Sequence, residues 1–210
     1  MCEIIVLIPN YNEEKSLLKL IKKIKYKIIV IDDCSNDNSF LKLKENKIET
    51  IKNKKRLGYE ATVINGFNYI KKKYKKCKYI LTMDADGEHP PENISSILNF
   101  IKKKKCDVVI GSRLKLNRFS EYIFSFFFQI KYSLPDPLSG FKIYKSNLIF
   151  KNIKKIKKEL FLIDLITYLS KYYKVLNMNI IVKKRSNSYP KVGGIIRSNL
   201  KILSLLKVIL

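Results

Sequence analysis

The stretch LTMDADGEHPP, residues 81–91, carries three carboxylates, Asp84, Asp86 and Glu88, on alternate residues directly after an apolar run, and stops at Pro90 and Pro91. Alternate side chains of an extended chain point one way, and carboxylate oxygens are the ligands that Mg2+ and Mn2+ prefer. Such an ion usually takes one or two protein carboxylates and completes its shell with phosphate oxygens and water. The pattern therefore fits a metal that holds a diphosphate. A lone D-x-D is common and by itself describes a solvated acidic turn; here a buried-strand pattern precedes it and a proline-marked helix start follows.

The elements around these acids decide where they sit. EIIVLIP (3–9) and KIIVID (27–32) are unbroken apolar runs, joined by a helical pattern through Leu17, Leu18, Ile21 and Ile24. A short helix near 38–45, a strand near 47–51, a helix from Gly58 to Tyr74, the strand YILTMD (79–84), a helix near 91–103 and the strand DVVIGS (107–112) continue the alternation. Continuous apolar strands alternating with helices predict an α/β, Rossmann-like fold with a mostly parallel central sheet and helices on both faces. Ligands of such sheets bind beyond the carboxyl ends of the strands. Asn10, Tyr11, Asn12 and Glu13, then Asp32 and Asp33, then Asp84, Asp86 and Glu88, then Ser112 and Arg113 all follow strands, so they are expected on one rim. After residue 114 the pattern loosens into an aromatic stretch, a DPLSGFKIY turn and strand (136–144), a helix near 160–171, a strand near 175–183 and a terminal amphipathic helix.

At 210 residues the chain suits one domain, 1–210, divided into halves at 1–113 and 114–194 with the terminal helix at 195–210. The 43 Lys and Arg against 18 Asp and Glu raise the question of nucleic acid. Only five are Arg (56, 113, 118, 185 and 197), the lysines are scattered along the whole length, and no nucleic-acid-binding signature accompanies them. Cys2, Cys34, Cys77 and Cys106 are widely spaced, which argues against a zinc site or a disulfide framework and for a reduced, cytosolic chain. A strand begins almost at the N-terminus and leaves no room for a signal peptide. YIFSFFFQI (122–130) is too short to span a bilayer, and residues 195–210 are interrupted by Arg197, Lys201 and Lys207.

VLIPNYNEE, VIDDCSNDNS, RLGYEATVINGF, MDADGEHPP, VIGSR and DPLSGFKIY occur in the order and near the spacing of family 2 glycosyltransferases. Over roughly residues 3–200 the chain most resembles the polyprenyl-phosphate branch, which includes the dolichol-phosphate mannosyltransferases. The resemblance implies the GT-A nucleotide-diphospho-sugar transferase fold and inverting transfer of a hexose from a nucleotide sugar to a polyprenyl or dolichyl phosphate. GDP-mannose is the leading donor, and Mg2+ or Mn2+ the cofactor. The alternatives are UDP-glucose as donor, a protein or glycan as acceptor and, outside the class, a basic nucleic-acid-binding protein. The protein is then expected in the cytoplasm, peripheral on the cytoplasmic face of a membrane, through its surface or an anchoring partner.

The same resemblance assigns roles to residues. Pro9, Tyr11 and Glu13 would line the nucleotide pocket, and Asp33 would turn its carboxylate towards the base. Asp84 and Asp86 would bind metal and donor diphosphate, with Glu88 where relatives place a glutamine. Arg113 would hold the acceptor phosphate, with a second contact from Arg118, although the usual glycine-rich stretch there is shortened. KRSNSYPKVGG resembles a mobile segment whose cations, Arg185 and Lys191, would close over the diphosphate; Ser188 and Pro190 replace its usual glycine and serine. The only histidine, His89, belongs to the motif's scaffold rather than to proton transfer. Cys34 replaces a glycine, which costs little provided its φ is not positive. The aromatic run 122–130, beside Arg113, is expected either in the core or at a lipid interface guiding a polyprenyl chain.

Overall fold

The run IIVLIPN forms β1 (Ile4–Asn10) and is buried at every residue, the signature of a strand covered on both faces. In this computed structural model, which describes residues 2–155, 162–183 and 195–209, the other strands are β2 (Lys27–Asp32), β3 (Thr50–Lys52), β4 (Tyr79–Thr82), β5 (Val108–Arg113), β6 (Lys142–Lys145) and β7 (Val175–Ile180). The sheet order is β3-β2-β1-β4-β6-β5-β7. β6 runs antiparallel to β4 and β5, between which it lies, and every other pairing is parallel. The carboxyl ends of β1, β2, β4 and β5 therefore share one rim.

Along the chain the helices are α1 (Glu14–Ile21), α2 (Ser39–Glu45), α3 (Tyr59–Lys73), α4 (Glu92–Lys104), α5 (Phe119–Tyr132), α6 (Ser146–Asn152), α7 (Ile163–Tyr172), α8 (Ile195–Leu203) and α9 (Leu206–Ile209). Successive β1 residues point to opposite faces, so Ile4, Val6 and Ile8 join α1, α2 and α4 in one core while Ile5 and Leu7 join α3, α5, α6 and α7 in the other. Helices on both faces of a mostly parallel sheet is the architecture the apolar runs predict.

Several boundaries differ from the sequence expectation. β3 lies at Thr50–Lys52, β7 stops at Ile180, and β4 stops at Thr82 instead of reaching Asp84. Leu7 opposite Thr82 is the last register pair of β4 with β1, and Met83 N donates one more bond to Leu7 O at 3.1 Å before the chain turns. Gly87, at φ 80°, takes that turn in the left-handed region where glycine costs least. Cys34 also has a positive φ, 61°, so the condition under which its substitution costs little is not met; a side chain there costs about 1–2 kcal/mol relative to right-handed backbone.

The aromatic run is part of α5 and divides between core and surface. Phe124 and Phe128 are fully buried, whereas Phe119 is 78% exposed, Phe126 62% and Ile130 69%. With Tyr122, these exposed residues recur at three- and four-residue spacing and line one stripe of the helix. No helix among the described residues is long and apolar enough to cross a membrane.

Candidate active site

Asn10 ends β1 and is buried, with its Nδ2 donating to Asp32 Oδ1 at 2.8 Å and to Ser35 Oγ at 3.2 Å. Asp32 also accepts Ser35 N and Ser35 Oγ, so this carboxylate stitches the turns after β1 and β2 together. Glu13 is buried at the start of α1, where Ser16 Oγ donates to its Oε2 at 2.8 Å. Pro9 is buried within β1, opposite Ile31. Tyr11 stays partly exposed, and the guanidinium of Arg56 lies 4.1 Å from its ring centroid.

Asp33 is engaged by the loop ahead of α3. Its Oδ1 accepts Leu57 N at 2.8 Å and Asn53 Nδ2 at 2.9 Å, its Oδ2 accepts Gly58 N at 2.8 Å, and the residue is buried. A buried carboxylate needs such donors, and the loop ahead of α3 provides them. Asp33 thus anchors that loop.

Asp84 leads the acidic loop after β4. His89 Nε2 stands 3.7 Å from Asp84 Oδ2, with the His89 ring buried and tilted on Phe141 at a centroid distance of 5.2 Å. The Tyr59 hydroxyl lies close enough to Asp84 for the carboxylate's charge, after burial, to push its pKa up. Burial alone would raise the Asp84 pKa, but the close approach of His89 and the fields of Lys142 and Arg113 outweigh it and hold it below the ordinary 3.8. Asp84 is therefore an anion at neutral pH. His89 Nδ1 is buried without a partner among the described residues, and the ring packs as scaffold against Asp84.

Asp86 Oδ1 accepts Glu88 N at 3.0 Å and so closes its own turn. The alternation of acids predicts three carboxylates converging, and this does not happen: among the described residues no three His, Cys, Asp or Glu side chains are gathered to hold a metal ion. The reason is local. All three acids lie beyond Thr82, where the chain has left the sheet and period-two alternation no longer governs side-chain direction.

Arg113, at the end of β5, is clamped by acids. Its Nε donates to Asp136 Oδ2 at 2.8 Å, its Nη2 to Asp136 Oδ1 at 2.9 Å and to Glu121 Oε2 at 3.4 Å, and 10% of its side chain is exposed. Arg118 Nη1 and Asn117 N also donate to Glu121. Truncating one member of such a buried cluster would strand a charge, at about 3–5 kcal/mol. Lys142, at the start of β6, lies beside this cluster with its Nζ donating to the Ser139 carbonyl. Burial pushes its pKa down to about 8, against the opposing pull of Asp136 and Asp84.

The rim thus brings together Asp84, Glu88 and Arg113, close enough for their charges to act on one another. Tyr11, Glu13 and Asp33 stand at the β1–β2 side. Lys183 N donates to Glu88 O at 2.8 Å, so the chain beyond β7 leaves from this same rim; Arg185 and Lys191, which follow, lie outside the described residues. Tyr59, Glu121, Asp136 and Lys142 join the site without having been singled out in the sequence. Asp136 and Lys142 lie in the DPLSGFKIY motif, whose order was legible while its individual partners were not.

The fold and the placement of acids and cations at the strand ends define a class. Residues 5–150 match Glycosyl transferase family 2, and the chain belongs to that family. Its fold is GT-A. Among curated proteins it is 35% identical over 119 residues to the dolichol-phosphate mannosyltransferase of Pyrococcus furiosus, covering 51% of this chain and 32% of that protein. It is 31% identical over 134 residues to the UDP-N-acetylglucosamine–dolichyl-phosphate N-acetylglucosaminyltransferase of Methanococcus voltae, covering 53% of this chain and 52% of that one. The match thus spans between about a third and a half of these relatives' length. Among solved structures, glucosyl-3-phosphoglycerate synthase from Mycobacterium tuberculosis, in complex with Mn2+, UDP-glucose and phosphoglyceric acid, superposes with a TM-score of 0.74 at 14% identity, covering 98% of this chain and 79% of that one.

Proposed function

We propose that this chain is an inverting hexosyltransferase that moves a sugar, with GDP-mannose the leading donor, onto a polyprenyl or dolichyl phosphate at a membrane surface. The observation that carries the reading is Asp84. It is a carboxylate at the strand-end rim beside the buried His89 ring, with Asp86 and Glu88 in the same loop and the Arg113 cluster near enough for its charge to act on it. The P. furiosus relative, by its name a dolichol-phosphate mannosyltransferase, supports mannose as the sugar and a dolichyl phosphate as the acceptor.

Asp84, Asp86 and Glu88 offer hard oxygen donors, the ligand type Mg2+ and Mn2+ prefer, and one or two of them suffice when phosphate oxygens complete the shell. When bound, such an ion supplies positive charge against the nucleoside diphosphate that leaves. The chain's own residues do the rest by position. Tyr11 offers an aromatic face to a base. Asp33, through Leu57 and Gly58, fixes the loop beside it. Arg113, held in place by Asp136 and Glu121, is the cation assigned to an acceptor phosphate, with Arg118 as a second contact and Arg185 and Lys191 as cations for the donor. A phosphate monoester, with a second pKa near about 6, is already an anionic nucleophile at neutral pH. No side chain is needed as general base, consistent with the scaffold place of His89. Direct displacement inverts the anomeric carbon.

Membrane contact is assigned to the exposed stripe Phe119, Tyr122, Phe126 and Ile130 of α5, which begins directly after Arg118 and so borders the acceptor side. A second donor reading, a UDP-sugar, is favoured by the name of the M. voltae relative. The test is incubation with radiolabelled GDP-mannose, UDP-glucose or UDP-N-acetylglucosamine, a short-chain polyprenyl phosphate and Mn2+ or Mg2+. Label should move into the organic phase from one donor, and Asp86→Ala should abolish it. Transfer undiminished by Asp86→Ala would overturn the assignment of the acidic loop.

A further inference from the structure

Arg56 is an exposed residue on the loop between β3 and α3, and its guanidinium carbon lies over the Tyr11 ring, 4.1 Å from the centroid. Both backbones under this contact are pinned. On the Arg56 side, Asn53 N donates to Asp32 O at 2.8 Å, Asn53 Nδ2 donates to Asp33, and the Leu57 and Gly58 amides both donate to the Asp33 carboxylate. On the Tyr11 side, Asn12 N donates to Ser35 Oγ at 3.0 Å and Asn12 Oδ1 accepts Asn36 N at 2.8 Å. Two fixed loops thus hold a rigid ring against a side chain with several free torsions.

A flat heteroaromatic base needs about 3.5 Å to the surface on either side of it, so a base held between ring and guanidinium requires them about 7 Å apart. At 4.1 Å they touch and no base fits between. Because the loop amides are anchored, opening falls to the Arg56 side chain, which must lift by roughly 3 Å, a movement its torsions allow without backbone change. A guanidinium stacks on a planar π-system as readily as an aromatic ring does.

We propose that Tyr11 and Arg56 are the two jaws of a clamp for the nucleobase of a nucleoside diphosphate, closed on each other in the free protein and closing on either side of the base when it enters. This rests on the reading of the rim as a nucleotide-sugar site and names the residue that completes base recognition there. Asp33 then serves the base indirectly, as a positioning residue that holds the outer jaw in register.

The test is calorimetric titration of the full chain with GDP, with UDP and with inorganic pyrophosphate, each in the presence of Mn2+. Arg56→Ala should weaken GDP or UDP binding by roughly five- to fifty-fold, the range expected for loss of one stacking partner, and leave pyrophosphate binding unchanged. Arg56→Lys, which keeps the charge and loses the plane, should behave like Arg56→Ala. The double variant with Tyr11→Ala should bind little worse than the weaker single variant, because the jaws act as a pair. Full rescue by Arg56→Lys, or an equal loss for pyrophosphate, would assign Arg56 to the phosphates and overturn the clamp, as would unchanged nucleotide affinity in Arg56→Ala. Wild-type protein that binds neither nucleotide would remove the donor-site reading itself, whereas wild-type binding with an indifferent Arg56 would remove the clamp alone. Arg56 is exposed, so unchanged thermal unfolding of the variants serves as the control for folding.

Discussion

Gly140 lies in the turn that leads into β6, against the side chain of Asp84, and adding a single methyl group there tests the candidate site from beneath. A Cβ at Gly140 would stand 2.5 Å from Asp84 Cγ and closer still to both carboxylate oxygens. Ordinary carbon contacts begin near about 3.5 Å, so the carboxylate must withdraw by about 1 Å. The turn itself has little freedom to yield. Thr82 Oγ1 donates to the Gly140 carbonyl at 2.9 Å, Phe141 N donates to Ser139 Oγ at 3.2 Å, and Gly111 N donates to Phe141 O at 2.9 Å. Asp84 therefore gives way and loosens from His89 and Tyr59. Overpacking of this kind costs about 1–3 kcal/mol of stability, while a displacement of about 1 Å at a reacting centre costs on the order of a hundred-fold in rate. Gly140→Ala should accordingly remain folded by circular dichroism and lose about two orders of magnitude in sugar transfer to polyprenyl phosphate at saturating donor. The Mn2+ concentration for half-maximal activity should rise with it. A folded Gly140→Ala protein with wild-type transfer rate and wild-type metal dependence would refute the placement of Asp84 at the centre of the site.

Three further outcomes follow from other parts of the molecule. Cys34→Gly should stabilise the protein by about 0.5–1 kcal/mol in urea denaturation, since relief of the left-handed backbone at φ 61° exceeds the added freedom of glycine in the unfolded chain; a lower urea midpoint would contradict this. Glu49 lies on the opposite rim and accepts Lys27 and Lys73 ammonium groups and the Tyr69 and Tyr74 hydroxyls. Burial pushes its pKa up, but these four donors prevail and draw it from 4.5 down to about 2. Because the folded value is the depressed one, the stabilisation is present above pH 4.5 and lost as the pH falls towards 2. The stability advantage of wild type over Glu49→Gln should therefore shrink across that window, and an advantage independent of pH would be the contrary result. Phe119→Ser with Phe126→Ser should reduce flotation with liposomes of anionic lipid while leaving the fold intact, because both rings are exposed; unaltered flotation would remove α5 as the membrane-contacting element.

The order of elements was legible in the chain because apolar runs and their spacing are local information. EIIVLIP and KIIVID read as strands covered on both faces, and the polar clusters after them as residues of one rim. The candidate residues were legible as types and positions for the same reason. Their partners were not. A carboxylate has no preferred direction of its own, so Asp33 turns to the amides of Leu57 and Gly58, twenty-four and twenty-five residues away, once the loop before α3 packs over it. Arg113 is likewise read from sequence as a free phosphate fork and found in the fold with Asp136 on two of its nitrogens.

What the sequence by itself determined is the class: a mostly parallel sheet whose strand ends carry acids and cations, in the order of one family's motifs. Tertiary structure decided the rest. β6 enters from the second half of the chain, antiparallel, between β4 and β5, and carries Gly140 and Lys142 beneath Asp84 and Asp136 beside Arg113. It decided too that β4 ends at Thr82, that one stripe of α5 faces outwards, and that Arg56 lies on Tyr11. Each of these depends on which groups meet across long stretches of chain, and local periodicity carries no record of such meetings.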